Sequence, residues 1–282
     1  MKVNLGCGTR CHPAWTNIDI DPQGPGVIPA DLSKGIPLQD SSCSVVYHSA
    51  VLEHLRRSDA RRFIGECFRI LEPGGTMRVG VPDLEATCRS YLGILERAGS
   101  GDTSAQSDHE WITLELLDQS VREAAGGGML GFLRQDPIPN EAFVYQRIGE
   151  EGRELVEMIR RQPRDQPVSS APRMSRGVRH AISTIPATAR EKLLRALLTP
   201  HDQRALDIGR FRLAGEVHQW MYDRYSLARL LTDGGFVDPV VHDAWSSSIP
   251  DWSTYHLDIT SDGRVVKPDL FFMEARKPGQ ET

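Results

Sequence analysis

Short apolar runs, separated by turns rich in Gly, Pro and Asp, fill the first third of the chain and return near its end. Runs of this kind are typical of strands buried within a β-sheet. The pattern predicts seven strands. They are residues 2–5, 16–20, 27–30, 43–49, 76–81, 237–244 and 269–276.

Two segments beside these strands carry apolar side chains at helical spacing. The first is residues 58–71, where Phe63, Phe68 and nearby apolar residues fall on one face. The second is residues 226–232. Strands that alternate with helices favour an α/β class with one open, largely parallel sheet.

The middle of the chain follows a different pattern, because residues 85–215 contain no predicted strand. Helices are predicted there at 84–98, 111–125, 151–161 and 188–198. The Gly126–Gly128 run and residues 162–174 resemble linkers. We therefore expect a core built from residues 1–84 and 216–282. Residues 85–215 form a helical insertion or lid, partly flexible around 162–187.

Composition excludes some classes of protein. The 282 residues include 33 Lys and Arg against 38 Asp and Glu, a net charge of −5, which gives no overall attraction to nucleic acid. No apolar stretch approaches the roughly 20 residues of a membrane-spanning helix. The first residues lack the apolar region of a signal peptide. Five scattered cysteines favour a reducing compartment, so we expect a cytoplasmic protein.

One segment is locally basic. Residues 160–195 carry nine Arg or Lys and two Asp or Glu. A solvated insertion explains this, and an arm that touches phosphates or an anionic membrane is the alternative. Residues 189–198 are amphipathic, so peripheral membrane contact stays open, as does a homodimer.

The stretch VNLGCGTRCHPAWTNIDID joins a glycine turn to an acid. Gly6 and Gly8 allow a ligand to lie against the backbone, and Asp19 at the end of the next strand can accept hydrogen bonds from a ribose. The third glycine of a dinucleotide fingerprint is absent. Cys7, Cys11 and His12 lack a second pair of ligands at zinc spacing, so no metal is predicted.

Six motifs in order resemble those of class I S-adenosylmethionine-dependent methyltransferases, most closely their broad type 11 group. They are NLGCG at residues 4–8, ID at 18–19, ADL at 30–32, IPLQDSSCSVV at 36–46, SAVLEHL at 49–55 and ILEPGGTM at 70–77. The resemblance covers residues 3–83 and, more loosely, 225–277. It implies a Rossmann-like, seven-stranded, mostly parallel sheet.

The resemblance also implies S-adenosylmethionine as cofactor and a transferase activity. The acceptor would be a small molecule or a saccharide, methylated on oxygen by direct displacement; no nucleic-acid acceptor is expected. The residues implied in cofactor binding follow the motifs. They are Asn4, Gly6, Cys7, Gly8, Asp19, Ile20, Asp31, Leu32 and Ser49.

An oxygen nucleophile requires a base, and histidine titrates near neutral pH, at about 6.5. His54 and His218 are the catalytic candidates, followed by His48 and Asp83. Two of six aromatic residues are expected to line the acceptor pocket. The six are Trp111, Trp220, Tyr222, Tyr225, Trp245 and Trp252.

The connections after the first and second strands are too short for the helices usual in this class. One face of the sheet would then need cover from the insertion or from a partner. Two other functions stay open: a protein that binds S-adenosylmethionine without transferring its methyl group, and a nicotinamide-dependent enzyme.

Overall fold

The computed structural model describes residues 1–161 and 187–279, and within these ranges seven strands form one sheet. The strands are β1 (Lys2–Leu5), β2 (Thr16–Asp19), β3 (Val27–Pro29), β4 (Cys43–Ser49), β5 (Leu71–Pro82), β6 (Val237–His242) and β7 (Leu270–Arg276). Their order is β3-β2-β1-β4-β5-β7-β6. β7 runs opposite to the other six strands, so the predicted mostly parallel, Rossmann-like sheet is confirmed.

Eight helices accompany the sheet in the described ranges. They are α1 (Arg57–Ile70), α2 (Leu84–Gly99), α3 (Ala105–Val121), α4 (Gly127–Leu133), α5 (Glu141–Arg161), α6 (Ala187–Leu197), α7 (Pro200–Arg212) and α8 (Arg224–Asp233). Along the chain, helices α2–α7 follow β5 and precede β6. None of the eight is long and apolar enough to cross a membrane.

The predicted linker at Gly126–Gly128 is wrong, because Gly127 and Gly128 form the first turn of α4. The Asp118 carboxylate accepts a hydrogen bond from the Gly128 backbone nitrogen at 2.6 Å, so a side chain from α3 compensates for the poor helix propensity of glycine. Helix α7 was not predicted either. The second predicted linker, residues 162–174, lies outside the described residues, as does the predicted flexible region up to residue 186.

The sheet has two differently covered faces. On one face α1 and α8 bury Phe63, Ile64 and Leu227 against β4 and β5. On the other face, residues 249–257 of the β6–β7 connection pack on the sheet. Their cluster consists of Trp15, Val45, Tyr47, Ile249, Trp252, Tyr255 and Leu257.

The predicted lack of helices after β1 and β2 is confirmed, since residues 6–15 and 20–26 contain only turns. Cover of this face by a partner stays a prediction, and the described part of the insertion does not supply the cover of Trp15, Val45 and Tyr47. Trp252 and Tyr255 supply it instead, with Trp15 edge-on to both rings at 6.0 and 5.3 Å between centroids.

A buried ion network joins the same connection to the sheet. Arg78 on β5 is fully buried; its Nε donates to Asp258 at 3.0 Å and its Nη1 to Glu274 at 2.8 Å. The Tyr47 hydroxyl donates to the other Asp258 oxygen at 2.5 Å. These bonds fix residues 243–258 to β4, β5 and β7.

Candidate functional site

The turns that follow the carboxyl ends of β1 and β4 lie in contact with each other. Gly6 leaves β1 with φ +66°, and a Cβ on it would lie 2.4 Å from Cγ2 of Val51. Its backbone nitrogen donates to the Ile18 carbonyl at 2.8 Å. Only glycine fits this position, because both the conformation and the space exclude a side chain.

Asp19 closes the glycine loop from β2. Its Oδ2 accepts from the Gly8 backbone nitrogen at 2.8 Å, and its Oδ1 accepts from the Asp21 nitrogen at 2.8 Å. A carboxylate offers about four lone pairs, so each oxygen can still accept a further bond. The short loop without a helix is thus braced by the acid itself.

A first cavity opens at this loop. Of the nine predicted cofactor residues, five line it: Asn4, Gly6, Cys7, Gly8 and Ser49. Asn4 is held there, since its side-chain nitrogen donates to the Arg10 carbonyl at 2.8 Å. The remaining lining residues come from the glycine loop, β4 and the turn after it, α5, the β6–β7 connection and β7.

The other four predicted cofactor residues lie outside this cavity lining, at the ends of β2 and β3. They are Asp19, Ile20, Asp31 and Leu32. Asp31 caps a short helical turn by accepting from the Ser33 nitrogen at 3.1 Å, and it pairs with Lys34 at 2.9 Å. Its neighbour Ala30 donates to the Asp19 carbonyl at 2.9 Å, so the two acids share one edge of the sheet.

A second cavity, of about 390 Å³, adjoins the first. Both are lined by Ala50, Glu151, Lys267 and Leu270. Glu151 and Lys267 form an ion pair of 2.9 Å at this junction. The volume is within the range of about 300–1,000 Å³ that small-molecule pockets occupy.

His54 and His218, the two catalytic candidates from the sequence, both line the second cavity. Their rings meet edge to face, with centroids 4.7 Å apart. The return segment after α7 brings them together, because the His218 nitrogen donates to the Gln119 carbonyl at 3.0 Å and the Gln219 nitrogen donates to the Glu53 carbonyl at 2.6 Å. The segment is therefore fixed to both α3 and the turn after β4.

Sequence reasoning missed Glu53, which precedes His54 in the turn Leu52–His54. Its side chain is buried, with 1% exposure, and lines the second cavity. Glu53, His54 and His218 each offer one atom that could bind a metal ion. These three atoms lie within 4.8 Å of one another. The signal was present in the Leu-Glu-His motif, but the burial of Glu53 depends on the distant return segment.

Burial dominates the electrostatics of this cluster. It raises the pKa of Glu53 to about 7 and lowers the pKa of His54 to about 4 and that of His218 to about 3. The sequence argument from an ordinary histidine pKa is therefore wrong for both residues, which are uncharged at neutral pH.

Polar groups without a partner concentrate in the second cavity. Within residues 1–161 and 187–279, nine buried side-chain N or O atoms lack a hydrogen bond, and four of them belong to its lining residues. These are Glu53 Oε2, His54 Nδ1, Trp111 Nε1 and Arg122 Nε. An unsatisfied buried polar group costs about 1–3 kcal/mol, so such a concentration favours a polar ligand.

The remaining candidate residues from the sequence support the fold. His48 is fully buried on β4, packs against Phe63 and does not line either cavity. Asp83 caps α2 and pairs with Arg224 at 2.8 Å. Of the six aromatic residues only Trp111 lines the second cavity, where two were expected.

Comparison with known proteins agrees with the motifs. Residues 4–79 match the family model of a methyltransferase domain. A probable S-adenosylmethionine-dependent methyltransferase of Mycolicibacterium smegmatis is 46% identical over 48 residues, which are 17% of this chain and 18% of that protein. The chain thus matches less than a fifth of this relative's length. The predicted methyltransferase domain is confirmed for residues 4–79.

Solved structures of other proteins align with more of the chain, at low sequence identity. A possible histamine N-methyltransferase of Thermotoga maritima is 13% identical, with 98% of this chain and 81% of that chain covered and a TM-score of 0.38. An S-adenosylmethionine-dependent methyltransferase of Methanosarcina mazei is 15% identical, with 99% and 92% covered and a TM-score of 0.37.

Proposed function

We propose that this protein transfers the methyl group of S-adenosylmethionine to a hydroxyl oxygen of a small molecule or saccharide. The observation that carries the proposal is the pair of adjoining cavities. One is built on the glycine loop, the other holds the Glu53, His54 and His218 side chains, and Ala50 and Leu270 line both.

The first cavity suits the sulfonium end of the cofactor. Its enclosed volume of about 140 Å³ is below that of a typical whole-ligand pocket, so the nucleoside would extend from it along the open edge of the sheet. The carboxylate of Asp19 stands at that edge for the ribose, with Ile20, Asp31 and Leu32 beside it for the adenine.

The second cavity suits a polar acceptor. Trp111 Nε1 and Arg122 Nε are donors without a partner, and Glu53 Oε2 is an acceptor without one. Hydroxyl groups both donate and accept, so a polyhydroxylated or phenolic molecule can satisfy all three. This supports oxygen over carbon as the methylated atom.

The chemistry needs alignment more than covalent help from the protein. A lone pair of the acceptor oxygen forms the new bond to the methyl carbon, and the pair of the breaking carbon–sulfur bond stays on sulfur as S-adenosylhomocysteine. Alignment of oxygen, carbon and sulfur can contribute about 7–11 kcal/mol. The hydroxyl proton must also leave, and His54 or His218, which both line the second cavity, would accept a hydrogen bond from it.

Isothermal calorimetry with S-adenosylmethionine and S-adenosylhomocysteine tests the cofactor half. We expect micromolar binding that Asp19→Ala abolishes and Asp21→Ala, whose carboxylate is exposed, leaves intact. No binding to either compound contradicts the proposal, and binding of a nicotinamide dinucleotide instead supports the nicotinamide-dependent alternative.

Release of S-adenosylhomocysteine in the presence of sugars and phenols tests the acceptor half. Turnover that His218→Ala reduces at least tenfold supports the proposal. Cofactor binding without turnover on any acceptor supports the alternative of a binding protein without transferase activity.

We also propose a division of the chain into a core and an inserted part, and a cytoplasmic location. Residues 1–84 and 216–282 contain every strand of the sheet, and α2–α7 lie between, which supports a core with an inserted helical part. The five free cysteines support a reducing, cytoplasmic setting.

A further inference from the structure

We propose that Glu53, His54 and His218 bind one divalent transition-metal ion at the wall of the second cavity. Zinc is the ion for which the geometry is argued and the test is designed. Each residue offers one ligand atom, and the three atoms lie within 4.8 Å of one another. Two imidazoles and one carboxylate with an open fourth position form a known arrangement of catalytic zinc.

The unpartnered atoms point to a ligand at this place. Glu53 is 1% exposed and its Oε2 has no hydrogen-bond partner; His54 Nδ1 is also buried without one. A buried carboxylate without a cation is costly, by several kcal/mol. A bound cation would satisfy both atoms at once.

The backbone around the cluster holds the ligands in place. Gln219 and Trp220 donate to the Glu53 carbonyl, and His218 is held by its own backbone bond to Gln119. The backbone of Gly215 and Val217 faces the His54 ring. Ligating histidines usually donate their second nitrogen to such a group, which fixes the tautomer.

The site requires a small closure. Ligand atoms around a tetrahedral zinc, with bonds of about 2.0–2.1 Å, stand about 3.3 Å apart. The three ligand atoms, within 4.8 Å of one another, would therefore have to move closer together when the ion binds. Two nitrogen ligands favour zinc and its neighbours over magnesium, which prefers oxygen.

The chemical role rests on the proposed function. An acceptor hydroxyl on the open position would bind the metal through oxygen, and its pKa would fall as that of metal-bound water does. With both imidazoles bound to the metal, neither would accept the hydroxyl proton as proposed for the metal-free site, so this proton would leave to solvent water. Held by Glu53, His54 and His218, the metal would supply this activation of the acceptor oxygen; that oxygen would form the new bond to the methyl carbon, and the sulfur would keep the electron pair of the bond that breaks.

Titration calorimetry with Zn²⁺ on the chelator-treated full chain tests the site under reducing conditions. We expect one Zn²⁺ per chain, with affinity at least tenfold lower in His218→Ala and in Glu53→Gln. His201→Ala, on exposed α7, is the matched control and should leave affinity unchanged.

The thiols of Cys7 and Cys11, whose sulfur atoms are 3.4 Å apart, are a competing zinc site. Cys11→Ser separates the two sites: retained Zn²⁺ binding supports the cluster, and lost binding overturns it. Zn²⁺ binding that both cluster variants leave unchanged also overturns it.

Calorimetry with S-adenosylmethionine on the same variants distinguishes the two proposals. Cofactor binding retained in Glu53→Gln shows that the variant is folded, so its loss of Zn²⁺ then reports on the site. Once an acceptor is found, a rate unchanged by a chelator overturns the chemical role of the metal and leaves methyl transfer standing. Absence of cofactor binding overturns the proposed function, whatever the result with Zn²⁺.

Discussion

Val51 occupies the space in which a side chain on Gly6 would begin, with Cγ2 2.4 Å from the position of that Cβ. The contact joins the turn after β1, which belongs to the first cavity, to the turn after β4, which carries Glu53 and His54. The contact between these two residues therefore links the position of the glycine loop to that of the second cavity.

Gly6→Ala should weaken binding of S-adenosylmethionine at least tenfold. The new methyl group would clash with Val51, and φ +66° is unfavourable for alanine by about 1–2 kcal/mol. Calorimetry measures the loss. Gly24→Ala is the matched control, because nothing lies within 4 Å of its Cβ position and binding should stay unchanged. Equal affinity in both variants would contradict the described loop geometry.

Arg78→Met should lower the free energy of unfolding by about 3–5 kcal/mol, because it leaves the buried carboxylates of Asp258 and Glu274 without their cation. Urea unfolding measures the change. Arg62→Met breaks an exposed pair with Asp59 and should cost about 0–1 kcal/mol. A loss at Arg78 no larger than that at Arg62 would speak against a buried network.

His48→Leu should flatten the dependence of stability on pH. Burial lowers the pKa of His48 to about 3, while the unfolded chain keeps about 6.5. As pH falls from 6.5 toward 3, the unfolded state binds the proton first, so stability is complete above 6.5 and falls below it. One such histidine contributes up to about 1.4 kcal/mol per pH unit.

Urea unfolding of wild type and His48→Leu at several pH values between 7 and 4 checks this, and His201→Leu serves as the exposed control. At pH 7 the variant should be at least as stable as wild type, because neither ring nitrogen of His48 has a partner to lose. An identical slope in both proteins would mean that His48 protonates in the folded state.

Trp252→Ala should destabilise the protein by about 3–5 kcal/mol. The ring is 4% exposed and packs against Trp15, Tyr47 and Tyr255, which the substitution would open to water. Tyr225→Ala removes a ring that is 73% exposed and should change stability little. Equal stability of the two variants in thermal unfolding would count against the cover of the sheet by residues 249–257.

The sequence was sufficient for the strands and for the glycine turn followed by Asp19, because each has a local pattern or a motif. It offers His54 and His218 only as separate candidates and does not predict that their rings meet. It was insufficient where distant residues decide. Helix α4 forms at a glycine run because Asp118 binds its first turn. Burial of Glu53, and the lowered histidine pKa values, arise only when residues 216–222 return to the turn after β4.

Cover of the sheet by residues 249–257 has a consequence for biosynthesis. The strands that hold the glycine loop leave the ribosome early, whereas Trp252 and Tyr255 emerge near the end of translation. Until then Trp15, Val45 and Tyr47 have no cover and present an apolar, aggregation-prone surface. Chains stopped before residue 249 should therefore associate with chaperones or precipitate, although every residue of the methyltransferase motifs has been made.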